Sequence, residues 1–157
     1  MLKCHNYDIV FQEIPNETTL AINIANCPNR CVGCHSPHLQ QDIGEDLTES
    51  VLSSLLKKYG NSVTCVCFMG GDNAPEEVLN LAKFVRCEAK KFSPLPLKTA
   101  WYSGCSTIFE GAQKNFDYIK IGAYTERLGG LNSPATNQKL YRIENGKMTE
   151  IHLSCHL

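Results

Sequence analysis

Three cysteines, Cys27, Cys31 and Cys34, fall within one short stretch, Cys27-Pro28-Asn29-Arg30-Cys31-Val32-Gly33-Cys34-His35. The spacing C-x3-C-x2-C lets three thiolates on a single loop reach one metal centre, and no fourth cysteine follows at matching distance. A closed structural zinc site uses four protein ligands, whereas a site that does chemistry keeps a position open. An iron–sulfur cluster held by three cysteines leaves one iron free for another ligand. Two donor sets therefore fit the loop: a cluster on the three thiolates, or a Cys3His zinc site completed by His35 or His38.

A second candidate is Gly70-Gly71-Asp72, directly after the apolar run Val63 to Met69. Paired glycines at the end of a buried strand allow close approach of a ligand to the backbone. Asp72 or Asn73 also fits as the cap of the next helix. Ser103 ends a further apolar run and stands where it can touch the same ligand. Cys65 and Cys67 lie two apart on a strand, hence on one face, and read as buried inert thiols. Cys4, Cys87, Cys105 and Cys155 show no recognisable ligand spacing, although the Cys4-His5 and Cys155-His156 pairs could meet in a second metal site.

These candidates need elements to hold them. Tyr7 to Ile14 has strand character, and Thr18 to Ala25 is apolar on both faces, as in a covered parallel strand. The cysteine loop follows, then a polar connection from Gln40 to Glu45. Asp46 with Glu49 forms a capping-box pattern for a helix that carries Leu47, Val51, Leu52, Leu55, Leu56 and Tyr59 and stops at Gly60. Val63 to Met69 is a second core strand, and Val78, Leu81, Ala82 and Val85 mark the stripe of a second helix that Ser93-Pro94 ends. Leu97 to Tyr102 is a third strand, Thr107 to Gln113 a short helix, and Tyr118 to Gly122 a fourth strand. Glu126 to Gln138 is a long loop. Asn145-Gly146, between Leu140–Glu144 and Lys147–Leu153, predicts a β-hairpin. Alternating strands and helices predict right-handed βαβ units around a parallel sheet, in a single domain spanning residues 1–157.

The loop resembles the cluster loop of the radical S-adenosylmethionine enzymes, whose hallmark is C-x3-C-x2-C after the first strand of a partial barrel. Cys31-Val32-Gly33-Cys34-His35-Ser36-Pro37-His38 is similar, more narrowly, to the activating proteins of anaerobic (class III) ribonucleotide reductases, and the short chain agrees. Asn137-Gln138 resembles their C-terminal Ser-x-Asn-Gln region. Gly33 stands where many radical S-adenosylmethionine enzymes carry an aromatic residue, Asn26 where a glycine is common, and Asp72 where the second motif, Gly-Gly-Glu, has the longer acid. The resemblance implies an incomplete, open (βα) barrel ending in the hairpin. It implies a 4Fe–4S cluster on Cys27, Cys31 and Cys34, and S-adenosylmethionine contacted by Gly33, Cys34, His35, Gly70, Gly71, Asp72 and Ser103. The implied activity is reductive cleavage of S-adenosylmethionine, with flavodoxin or ferredoxin as electron donor, to place a glycyl radical on the large reductase subunit. The alternatives are activation of another glycyl-radical enzyme, of the formate-lyase type, and a zinc-stabilised binding module.

Composition agrees with a globular domain: 43% of residues are hydrophobic, too many for a mostly disordered chain. Lysine and arginine number 15 against 16 acids, without a basic stripe, so charge gives no reason to expect nucleic acid or a membrane surface as partner. No apolar run approaches the ~20 residues of a membrane helix, and the N-terminus shows no signal-peptide pattern. With nine cysteines, the expectation is a reducing cytoplasm that holds free thiols and metal ligands.

Overall fold

The apolar runs assemble into one open sheet. The computed structural model of the chain describes residues 2–31, 33, 34, 36–93 and 95–152. In chain order the elements are β1 (Lys3–Val10), β2 (Thr19–Ile24), β3 (Glu45–Asp46), α1 (Glu49–Tyr59), β4 (Cys65–Met69), α2 (Pro75–Glu88), β5 (Lys98–Tyr102), α3 (Ala112–Asn115), β6 (Tyr118–Ile121), β7 (Lys139–Glu144) and β8 (Lys147–Ile151). The eight strands lie in the order β3-β1-β2-β4-β5-β6-β7-β8. The neighbouring pairs among β2, β4, β5 and β6 are parallel, and β1, β7 and β8 flank them antiparallel. The architecture is α/β, and the sheet is not closed: β3 and β8 form its edges.

Register sorts the side chains by face. Leu20, Ile22, Ile24, Val66, Phe68, Trp101 and Ile119 form one cluster with the buried stripes of α1, α2 and α3, so the helices cover one face of the sheet. On the other face Cys65, Cys67, Ala100, Tyr118 and Leu140 pack under Ile14, which comes from the β1–β2 connection and is fully buried. This segment differs from the sequence reading. The first strand starts at Lys3 and ends at Val10, and Phe11 to Ile14 leaves the ladder to lie over the sheet. Burying Ile14 there outweighs adding four more residues to an antiparallel pair.

Three helix boundaries also differ. Thr48, not Asp46, caps α1, its hydroxyl accepting from the Val51 amide at 3.2 Å, while Asp46 pairs with Lys3 in the ladder. The cap residue of α2 is Ala74, without a side-chain cap bond; Pro75 opens the helix instead. The third helix is later and shorter than Thr107 to Gln113, beginning after Gly111 in left-handed geometry at φ 89°. The hairpin stands as expected, with Asn145 and Gly146 both at positive φ (51° and 78°), the two-residue geometry that matches strand twist. Leu153, assigned to its second strand, lies outside the described residues. Among the described residues no helix is long and apolar enough to cross a membrane.

Candidate functional site

Three segments that are far apart in sequence meet at the C-terminal ends of β2, β4 and β5, where side chains and loop amides of an α/β sheet converge on ligands. The cysteine loop leaves β2 at Asn26, whose φ of 59° is left-handed. Glycine takes that conformation freely, and asparagine is among the few other residues that tolerate it. The Asn26 amide also donates to Asp42 Oδ1 at 3.0 Å, and Asp42 pairs with Lys3 at 2.6 Å. Backbone bonds from Asn26 N to Gln41 O (3.1 Å) and Cys27 N to Leu39 O (2.9 Å) pin the base of the loop.

Cys27, Cys31 and Cys34 are free and half-buried. The Cys34 amide donates to Cys31 O at 3.2 Å, and the Ser36 amide to Cys34 Sγ at 3.4 Å. Among the described residues no group of three His, Cys, Asp or Glu side chains is already arranged as a metal site. The donor chemistry nevertheless suits an iron–sulfur group: three free thiols on one loop, its base held and its tip accessible. His38 is turned aside, its ring in edge contact with His5 at 5.0 Å between centroids. His35 lies outside the described residues, as do Cys155 and His156.

The Gly-Gly-Asp turn joins the same site. Asp72 Oδ1 accepts from the Ser103 hydroxyl at 2.6 Å; Oδ2 accepts from the Gly104 amide and from Asn29 Nδ2, each at 2.7 Å. Asp72 is thus not a helix cap; it ties the ends of β4 and β5 to the cysteine loop. The two glycines have reasons of their own. Gly70 is at φ 111° and Gly71 at φ 94°, and a Cβ on Gly71 would lie 2.5 Å from Val78 Cγ2. The turn must press onto the core before any ligand arrives. Gly33, at φ 75°, faces Glu126: a Cβ there would lie 2.7 Å from Glu126 Oε2, so this glycine lets the long loop approach the cysteines.

Lys120 and Asn29 are contributors that motif reading passes over. Lys120, on β6, is half-buried, with its ammonium 5.6 Å from the Tyr102 ring centre and 3.3 Å from Gly122 O. Burial pushes its pKa down, opposed first by the nearby Asp72 carboxylate. A lysine inside the apolar run Tyr118 to Ile121 was the available signal, because a charge in a covered strand needs partners. Asn137 and Gln138 hold the turn after β6, their amides donating to Ala123 O (3.0 Å) and Gly122 O (3.2 Å). Cys65 and Cys67 are fully buried, and burial raises both thiols. Cys87 and Cys105 are exposed. Cavities of about 660 and 580 Å³ flank Arg86 and Asp117 at the opposite end of the strands, away from this site.

No family model, no curated protein and no solved structure matches the chain.

Proposed function

We propose that the chain is a radical S-adenosylmethionine enzyme that activates the large subunit of an anaerobic ribonucleoside-triphosphate reductase. The observation that carries this reading is the convergence on Asp72: its carboxylate joins Asn29 of the cysteine loop and Ser103 after β5 within 2.7 Å. Three stretches singled out in the sequence thus meet around one carboxylate, which supports reading them as one site. Covering helices on one face and four parallel strands in a sheet that does not close support an incomplete open (βα) barrel.

Cys27, Cys31 and Cys34 would hold a 4Fe–4S cluster, with S-adenosylmethionine as the ligand of its open iron. When bound, that cluster supplies the electron, received from a flavodoxin or ferredoxin, that cleaves the sulfonium and starts hydrogen abstraction from a glycine of the partner. The chain's own residues bind and orient. Asp72 offers a carboxylate to the ligand's amino group, and a carboxylate has about four acceptor positions, three of which the protein uses. Ser103 fixes the carboxylate's rotation and reaches the ligand from the end of β5. Lys120 sets a cation beneath the site, where the ligand's own carboxylate and the thiolates supply negative charge. Ile14 and its segment close the face of the sheet below, which excludes water from that side. A cytoplasmic location follows from the need for low potential and reduced thiols.

Single Cys→Ala replacements at positions 27, 31 and 34, followed by anaerobic iron and sulfide analysis, test the assignment. Each replacement is expected to abolish both iron binding and S-adenosylmethionine cleavage; a variant that keeps both contradicts it, as does a wild-type chain that takes up zinc and no iron.

A further inference from the structure

Arg86, on α2, stands where the cavities of about 660 and 580 Å³ adjoin, and with Asp117 it lines both. Its orientation is fixed: Nε donates to Thr99 Oγ1 and Nη2 to Asp117 Oδ2, each at 3.1 Å. A guanidinium has five N–H donors, and no described residue takes the other three. Asp117 Oδ2 also accepts from the Thr99 amide at 2.9 Å, and its ion pair with Arg86 adds no net charge. Lys98, on the wall of the larger cavity, is likewise answered by Glu17 at 2.7 Å. Two lysines are not answered. Lys90, on the turn that continues α2, lines the larger cavity, and Lys114, on α3, lines the smaller. Both are exposed, and neither has an acidic partner among the described residues. The junction therefore sets two uncompensated ammonium groups beside a guanidinium held in place. The larger cavity also has an apolar wall, Pro96 and Leu97 with Leu95 at 72% exposure.

We propose that this junction is a second ligand site, which takes an organic phosphate of nucleotide size: the phosphate on Arg86, Lys90 and Lys114, the body of the molecule against Leu95 and Pro96. A guanidinium fork matches phosphate oxygens two at a time, and flanking ammonium groups add charge without fixing geometry. Both cavities fall within the range of about 300–1,000 Å³ that small-molecule sites occupy. Inorganic phosphate alone would leave the apolar wall unused, so the site favours a phosphate that carries a larger group. It is separate from the Asp72 site, because Thr99 and Ser103 stand at opposite ends of β5. The inference does not depend on the function proposed above.

The test is calorimetric titration of the full chain with ATP, adenosine and inorganic phosphate as probes. Wild type is compared with Lys90→Ala, Lys114→Ala and Asp72→Asn. The two lysines hold no partner in the fold, so their replacement leaves it intact. ATP is expected to bind the wild type more tightly than inorganic phosphate, and adenosine not to bind at this site. Each lysine replacement is expected to weaken ATP about fivefold, the measure of one exposed charged contact. Asp72→Asn should bind ATP as the wild type does. A wild type that binds no ATP, or ATP binding unchanged in both lysine variants, overturns the proposal. So does ATP binding that is lost in Asp72→Asn, which would place the nucleotide at the cysteine loop. Inorganic phosphate that binds as tightly as ATP overturns the assignment of an organic phosphate.

Discussion

The Ser103 hydroxyl donates to Asp72 Oδ1 at 2.6 Å, so the end of β5 holds the only acid of the Gly70-Gly71-Asp72 turn in one rotamer. Ser103 is almost fully buried, and a buried hydroxyl without a partner is costly; the Asp72 carboxylate supplies that partner. Ser103→Ala is expected to lower stability by about 1 kcal/mol and to weaken S-adenosylmethionine binding about tenfold, as loss of one hydrogen bond to a charged group implies. Thermal unfolding and equilibrium binding measure the two effects separately.

Asp72→Asn gives a contrast with Thr48→Ala. Thr48 caps α1, so its replacement is expected to cost about 1 kcal/mol and leave ligand binding alone. Asp72 caps nothing, so Asp72→Asn should leave α2 intact by circular dichroism while abolishing ligand binding. A loss of helix content in Asp72→Asn would contradict the assignment of its carboxylate to Ser103, Gly104 and Asn29.

Thiol accessibility divides the remaining cysteines. At pH 8 in the folded chain, Cys87 is expected to alkylate first. Cys105 should follow more slowly, because partial burial raises its thiol. Cys65 and Cys67 should react only after unfolding, since both are fully buried with strongly raised pKa values. Peptide mapping after timed exposure to iodoacetamide reads the order directly.

The same burial sets the pH dependence. Cys65, Cys67, Tyr102 and Tyr118 all keep their protons in the folded chain at a pH where the unfolded chain loses them, because burial raises each. Lys98 is raised too, chiefly by its hydrogen bond to Glu17. For every one of these the folded state binds more protons than the unfolded, so stability is full below the unfolded pKa and falls as pH rises above about 9. Lys120, lowered by burial, works in the opposite direction as a single group. Urea midpoints measured from pH 7 to 11 should therefore decline steadily above pH 9, and a flat profile would contradict the burial assignments.

Ile14 is the anchor of the segment over the second face. Ile14→Ala is expected to cost about 2–4 kcal/mol, the price of a cavity among Cys65, Cys67 and Leu140. Phe11, 67% exposed in the same segment, should tolerate alanine with a change below ~0.5 kcal/mol.

Much of this was legible in the sequence. Thr18 to Ala25, Val63 to Met69, Leu97 to Tyr102 and Tyr118 to Gly122 announce strands by short, largely apolar runs, and Asn145-Gly146 announces the hairpin. The span of β1 was not legible: Phe11 and Ile14 have strand-forming side chains, and only the tertiary fit of Ile14 takes them out of the ladder. Nor was the role of Asp72 as a junction. Local pattern offers a helix cap, because the competing partners, Ser103 and Asn29, are distant in sequence. Lys120 and Asn29 escaped for the same reason, since each acquires its meaning from neighbours that the fold brings to it.

The most direct test of the central claim is to reconstitute the chain anaerobically with iron and sulfide, reduce it, and add S-adenosylmethionine together with the large subunit of an anaerobic ribonucleotide reductase. The account predicts 5′-deoxyadenosine and a glycyl-radical doublet in the electron paramagnetic resonance spectrum of that subunit. Zinc in place of iron, with no cleavage of S-adenosylmethionine, would contradict it.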